Sequence, residues 1–208
     1  MHIPDGFLAP TLTLPALAIS APLWVWGVKK HFGPNQALAL PVLGTLTAVA
    51  FALQTIMIPI PGGTSTHIVG AALLALLRGP LVAWICESMV LILQALFFGA
   101  GGITVVGVNA LALGLAGPWV AWLFYRAFRG RFPRLAPFFA GYLAIQVSSL
   151  VVVLVLGLQY HLNPVVFPTP FPVLVTAMFL PSLTVTGILE GAYTLFSLRF
   201  INRMGKVA

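Results

Sequence analysis

The chain of 208 residues is 60% hydrophobic and 6% charged, with a mean hydropathy of +1.07. Its 10 basic and 3 acidic side chains cannot cover a water-facing domain of this size, so a soluble globular domain is excluded. The net charge of +7 does not point to nucleic acid either, because the basic residues form short clusters at the ends of apolar runs.

The runs are continuous rather than alternating, which predicts membrane-spanning helices of about 20 residues and not the strands of a barrel. With 20 glycines and 17 prolines, those helices should be kinked and closely packed. The single cysteine, Cys86, falls inside an apolar run and has no partner for an internal disulfide.

The first element in chain order is the short stretch MHIPDG. The α-amine of Met1, the backbone nitrogen of His2 and the His2 imidazole Nδ1 can close fused five- and six-membered chelate rings on one metal ion, with all three nitrogens near one plane. Amine and imidazole are both available as free bases near neutral pH. An amide nitrogen surrenders its proton only to an ion that compensates for the loss. Ni(II) and Cu(II) do so in tetragonal nitrogen fields, whereas Zn(II) prefers tetrahedral sites and Mg(II) prefers oxygen. Histidine at position two is bulky, so retention of the initiator methionine is expected. Pro4 stiffens the turn beyond the chelate and offers no further amide. Asp5 is placed to accept a hydrogen bond from the ring side or to balance residual charge. The ordinary alternative is a solvated terminus.

Seven apolar segments follow, at residues 9–28, 36–58, 66–77, 81–98, 104–125, 136–158 and 171–200. The third is about a dozen residues and turns tightly into the fourth at Arg78, Gly79 and Pro80, as the short arm of a hairpin that stops below one membrane surface. Before it runs PIPGGTSTH, whose proline and glycines let the backbone turn back into the protein. The hydroxyls of Thr64, Ser65 and Thr66 can satisfy N–H groups at the start of the short span. His67 then sits at the top of the shortened arm, as a fourth nitrogen for the ion or as a capping histidine. Gln94, the glycines Gly99, Gly101 and Gly102, and Asn109 are costly in lipid and should face the interior, either holding helices together or holding loops around the site. Glu87 and Glu190 fall within the fourth and seventh segments, where a carboxylate can mark an ion path or carry a proton. Pairing of Glu190 with an arginine of the nearby basic cluster is an equal expectation. His161 lies in a loop on the His67 side with no short helix beneath it.

All ten basic residues follow the first, third, fifth and seventh segments, and the alternate loops carry none. By the positive-inside bias this puts the C-terminus in the cytoplasm and the N-terminus outside. The alternative, residues 9–28 as a cleaved signal, lacks a positive n-region.

MHIPDG, PGGTSTHIVG and QALFFGAGGITVVGVNA together resemble the CbiM/NikM family, the cobalt- and nickel-specific substrate-binding membrane component of energy-coupling-factor transporters. The resemblance covers nearly the whole chain. It implies an all-α integral membrane protein: one domain over 1–208, with 1–35 as chelating segment plus extra helix and 36–208 as a six-helix core. It also implies metal ligation by Met1, His2 and His67, with Asp5, Ser65, Gln94 and Asn109 as supporting residues. Thr66 stands where glycine is expected, and Ala100 where the family commonly has an acid, which leaves no carboxylate in that loop.

The expected cargo is Ni(II), with Co(II) as the alternative, and no cofactor is expected. The expected partners are a coupling transmembrane protein, two ATP-binding subunits and a small accessory membrane subunit in a prokaryotic inner membrane. The chain itself has no GxxxxGK[ST] loop, so ATP hydrolysis would belong to the partners. Ala48 and Ala52, four apart in the second segment, resemble the alanine-spaced seam by which such subunits dock on the coupling protein, with internal packing as the alternative. A membrane metalloprotease is disfavoured because HExxH is missing. A stand-alone secondary transporter would be marked by inverted repeats, which are not apparent.

Overall fold

In the computed structural model, residues 2–32, 40–60 and 64–204 are described. Among them seven helices follow one another: α1 (Pro10–His31), α2 (Leu40–Thr55), α3 (Ala71–Arg78), α4 (Pro80–Phe98), α5 (Val106–Phe128), α6 (Ala136–Leu162) and α7 (Phe171–Met204). Five of these, α1, α4, α5, α6 and α7, are long and apolar enough to cross a membrane. The molecule is a multi-pass membrane protein of nearly all-helical build.

The expected all-α architecture needs one correction. Two short strands, β1 (Ile58–Ile60) and β2 (Thr64–Thr66), pair antiparallel, with Ile58 opposite Thr66. The third apolar segment is accordingly shorter as a helix than its composition suggests, because residues 64–70 are used as strand and extended chain before α3 begins. Eight helical residues rise only about 12 Å. α3 is nonetheless the best buried element: every residue from Ala71 to Ala75 is at most 2% exposed.

Around α3 stand α4, α5, α6 and α7, while α2 packs through Leu43, Ala50 and Gln54. Prolines open α1 and α4 at the first helical turn, where the missing N–H costs nothing. Two π-helical stretches, Val175–Phe179 and Ser182–Thr186, interrupt α7, and a third, Ala110–Ala116, interrupts α5. α1 is peripheral and buries only Thr13, Ala16, Ser20 and Gly27. It lies against α5 at Gly107, where an added Cβ would stand 2.9 Å from the Leu17 nitrogen. Ser20 Oγ donates to the Gly107 carbonyl at 3.3 Å in the same contact. The described basic residues lie within or just after the C-terminal parts of α1, α3, α5 and α7, and Arg199 donates to the Arg134 carbonyl at 3.1 Å to join two of these ends.

A candidate metal centre under the N-terminal segment

Residues 2–9 precede the first helix and are fastened along their length. Ile3 is 1% exposed and belongs to the same core cluster as Val105, Val108, Val152 and Leu156. Asn109, on the first turn of α5, closes a double hydrogen bond on the Ile3 backbone: Ile3 N donates to its Oδ1 at 3.0 Å, and its Nδ2 donates to the Ile3 carbonyl at 3.0 Å. Asp5 accepts from Ile103 N at 3.1 Å and Thr104 N at 2.9 Å, and from the Thr104 hydroxyl. Hydrogen bonding from Thr104 holds the Asp5 carboxyl below the ordinary range. Ala9 N donates to Gln159 Oε1 at 2.8 Å, and Phe7 meets Phe167 ring to ring at 5.2 Å.

These ties deliver His2 to His67. Their ring centroids are 4.8 Å apart with a 35° tilt. On the other side of His2 comes Gly101, with φ of +78°, where a Cβ would stand 3.1 Å from the His2 Cβ and 3.5 Å from Asn109 Nδ2. A side chain there would be strained by its backbone and would press on the ring.

His67 is 2% exposed and begins an extended strip that runs to α3. Its Nδ1 lies 3.4 Å from the Ile68 carbonyl, which favours a proton on that nitrogen, and its Nε2 is buried without a hydrogen-bond partner. Two buried groups hold the strip in place. Glu190 of α7 accepts from Val69 N at 2.7 Å and from Gly70 N at 3.0 Å, and Gln54 of α2 donates from Nε2 to the Val69 carbonyl at 2.9 Å. Glu190 is therefore spent on the backbone beneath His67 and, among the described residues, pairs with no arginine, contrary to one expectation. Glu87 of α4 accepts from Gln54 Nε2 at 2.9 and 3.0 Å.

Both imidazoles are held in the free-base form. Burial, followed by the nearness of His67, pushes the His2 ring well below its ordinary value. Burial likewise pushes His67 down to about 3. His2 is intermediate in exposure as a residue, yet its Nε2 is inaccessible and unpartnered. Two such rings present lone pairs, not charge. Among the described residues no three His, Cys, Asp or Glu side chains gather in one place. An ion between these rings would thus meet two imidazoles and no third side chain of those four kinds among the described residues.

The sequence-predicted residues fall out as follows. His2, His67 and Asn109 come together. Asp5 faces the 103–104 loop instead of the His2 ring, because three donors await it there. Gln94 is 1% exposed, with its Oε1 unpartnered, while its carbonyl accepts from Gly99 and Ala100 at the end of α4. Ser65 is in β2 opposite Pro59, and Met1 lies outside the described residues. His161 is exposed and meets Tyr160 edge to face at 5.6 Å. Gln54 and Gln159 hold the site without having been singled out for it, whereas Gly101 belongs to the glycine run that was. Gln54 and Gln159 carry the same signal that marked Gln94, a polar side chain in or beside an apolar run.

Residues 2–207 match the CbiM family, described as the cobalt uptake substrate-specific transmembrane region. The chain belongs to this family. It is 36% identical over 208 residues to a Methanocaldococcus jannaschii protein named for metal transport, covering 98% of this chain and 92% of that one. It is 34% identical over 202 residues to the fused nickel transport protein NikMN of Rhodobacter capsulatus, spanning 91% of this chain but only 58% of that longer protein. The cobalt transport protein CbiM of Geobacter sulfurreducens is 31% identical over 199 residues, with 93% of this chain and 57% of that one covered. A crystal structure of a transition metal transporter superposes with a TM-score of 0.92 at 32% identity, over 99% of this chain and 94% of the other. CbiM relatives thus include proteins named for nickel and for cobalt.

Proposed function

We propose that this CbiM-family chain is the substrate-binding membrane subunit of an ATP-driven energy-coupling-factor transporter, and that it captures a divalent transition-metal ion at the extracytoplasmic face of a prokaryotic inner membrane. The cargo is Ni(II), with Co(II) as the second reading. The supporting observation is the meeting of two neutral, buried imidazoles under a terminal segment fixed at Ile3, Asp5 and Ala9.

In this reading the ion takes the Met1 amine, the His2 backbone nitrogen, His2 Nδ1 and His67 Nε2. His67 fits that role because its other nitrogen already faces a carbonyl. Four nitrogens near a plane favour Ni(II), and Co(II) would accept the same donors while seeking further ligands. All seven helices cross or enter the membrane, with α3 shortened to leave depth for the site, and the basic ends of α1, α3, α5 and α7 face the cytoplasm. Power comes from two ATP-binding subunits acting through a coupling membrane protein, with a small accessory membrane subunit alongside.

The decisive test is the terminus. One residue added ahead of Met1, or acetylation of its amine, turns the amine into an amide and shifts the chelate register. Calorimetry with Ni(II) and, in parallel, Co(II) should then show no tight binding by a protein that is otherwise folded. Tight binding retained by the extended protein would overturn the chelate.

A further inference from the structure

Gln54 and Glu87 lie beside the centre without belonging to the proposed ligand set. Gln54 is 1% exposed and Glu87 0%, and both sit on membrane helices where an unsatisfied polar group is costly. The Gln54 carboxamide has three acceptors around its nitrogen: both Glu87 oxygens, at 2.9 and 3.0 Å, and the Val69 carbonyl, at 2.9 Å. A peptide carbonyl can only accept. That fixes which end of the carboxamide is nitrogen, since a flipped amide would set oxygen against oxygen. Oε1 must then point the other way, and it is buried with no hydrogen-bond partner. The His2 ring is the neighbour in reach of Gln54, and its Nε2 is also buried with no partner. The unspent Oε1 and the buried Nε2 are the groups that a Gln54–His2 hydrogen bond can join.

Chelate geometry says which proton belongs there. The ring closed by the His2 backbone nitrogen, Cα, Cβ, Cγ and Nδ1 with the ion is six-membered, and Nε2 cannot take the place of Nδ1 in it. Nδ1 must therefore be free of hydrogen, and the proton of the neutral ring must sit on Nε2, where it needs an acceptor.

We propose that Gln54 is the positioning residue of the site: its Oε1 accepts the Nε2–H of His2, fixing the tautomer and rotation that aim Nδ1 at the ion, while Glu87 fixes the direction of the carboxamide. The inference rests on the chelate reading above. It adds that the supports of the two imidazoles are one network, because Gln54 also holds the Val69 carbonyl two residues beyond His67. Neither residue touches the ion. Their effect is on the geometry and basicity of the ring that does, as outer partners of metal-bound histidines ordinarily act.

Two measurements test it. In Ni(II) calorimetry, Gln54→Leu, close in size but unable to accept, should bind about 10–100-fold more weakly. His161→Ala, which removes an exposed ring outside this network, should stay at the parent affinity. The second measurement needs no variant and no metal: two-bond proton–nitrogen correlations of the parent protein labelled with ¹⁵N-histidine should show His2 as the Nε2–H tautomer, with a slowly exchanging ring proton that Gln54→Leu makes fast. Parent-like affinity of Gln54→Leu, or a His2 proton on Nδ1, overturns the relay. If the N-terminally extended protein still binds Ni(II) tightly, the chelate reading falls, and the relay stands or falls on the histidine spectrum alone.

Discussion

His67 differs from the other described histidines in what its ring nitrogens meet. One faces the Ile68 carbonyl, the other is buried and free, and the residue after next is gripped by Glu190 and Gln54. His67→Ala should therefore weaken Ni(II) binding at least as much as the 10–100-fold typical of losing a mere outer partner. His161→Ala, which removes an exposed ring edge-on to Tyr160, should leave the calorimetric isotherm unchanged. Equal losses in the two variants would mean that the coordination set is wrong. At this scale the sequence singled out the two imidazoles that the structure brings together, and less of what holds them. MHIPDG and TSTH advertise nitrogen by residue type and position. Gln54, in contrast, acquires its meaning only when α2 meets Glu87 of α4 and the strip at Val69, partners 33 and 15 residues away along the chain. Asp5 misled for the same reason. Its carboxylate suggested a partner for the neighbouring imidazole, but the donors that take it are Ile103 and Thr104.

Helix positions followed the apolar segments closely because lipid selects continuous runs of apolar residues. The exception is residues 64–70. There the polar run Thr64, Ser65, Thr66 and His67 interrupts the apolar pattern, and the chain runs as a strand and an extended strip before α3. One attachment of α1 was also hidden, since it depends on a glycine of another helix. Gly107 admits the α1 backbone at Ala16 and Leu17, and Gly107→Val would drive a side chain into it. Overpacking of this kind costs about 1–3 kcal/mol. Thermal unfolding in detergent should show a lowered midpoint. Since α1 carries the N-terminal segment at its head, Ni(II) affinity should fall with it. An unchanged midpoint would mean that α1 is not anchored at this crossing.

Seen whole, the molecule is polarised: basic residues gather at one set of helix ends, and the two facing imidazoles lie under the segment that precedes α1. On the proposed function, the partners that supply energy meet the basic side and the flanks. Ala48 and Ala52 are both exposed on α2, together with Gly44 and Thr45, while Leu43, Ala50 and Gln54 turn inward. Replacing both alanines with leucine should thus spare Ni(II) affinity and fold, yet abolish co-purification with the coupling protein and uptake by cells. Loss of affinity or of folded protein would place this face inside the bundle and send the search for the docking surface to another helix.

A chain end ordinarily frays, and its amides exchange with water almost freely. Here the third residue is among the least accessible in the protein, knotted by two hydrogen bonds to Asn109 and sunk in the same apolar cluster as α5 and α6. On the proposed function, loading and release are gated by the same event, the loosening of that knot. On the proposed chelate, an ion under His2 escapes no faster than Ile3 lets go, so long residence would come from the slow opening of a fastened terminus as well as from the strength of four metal–nitrogen bonds.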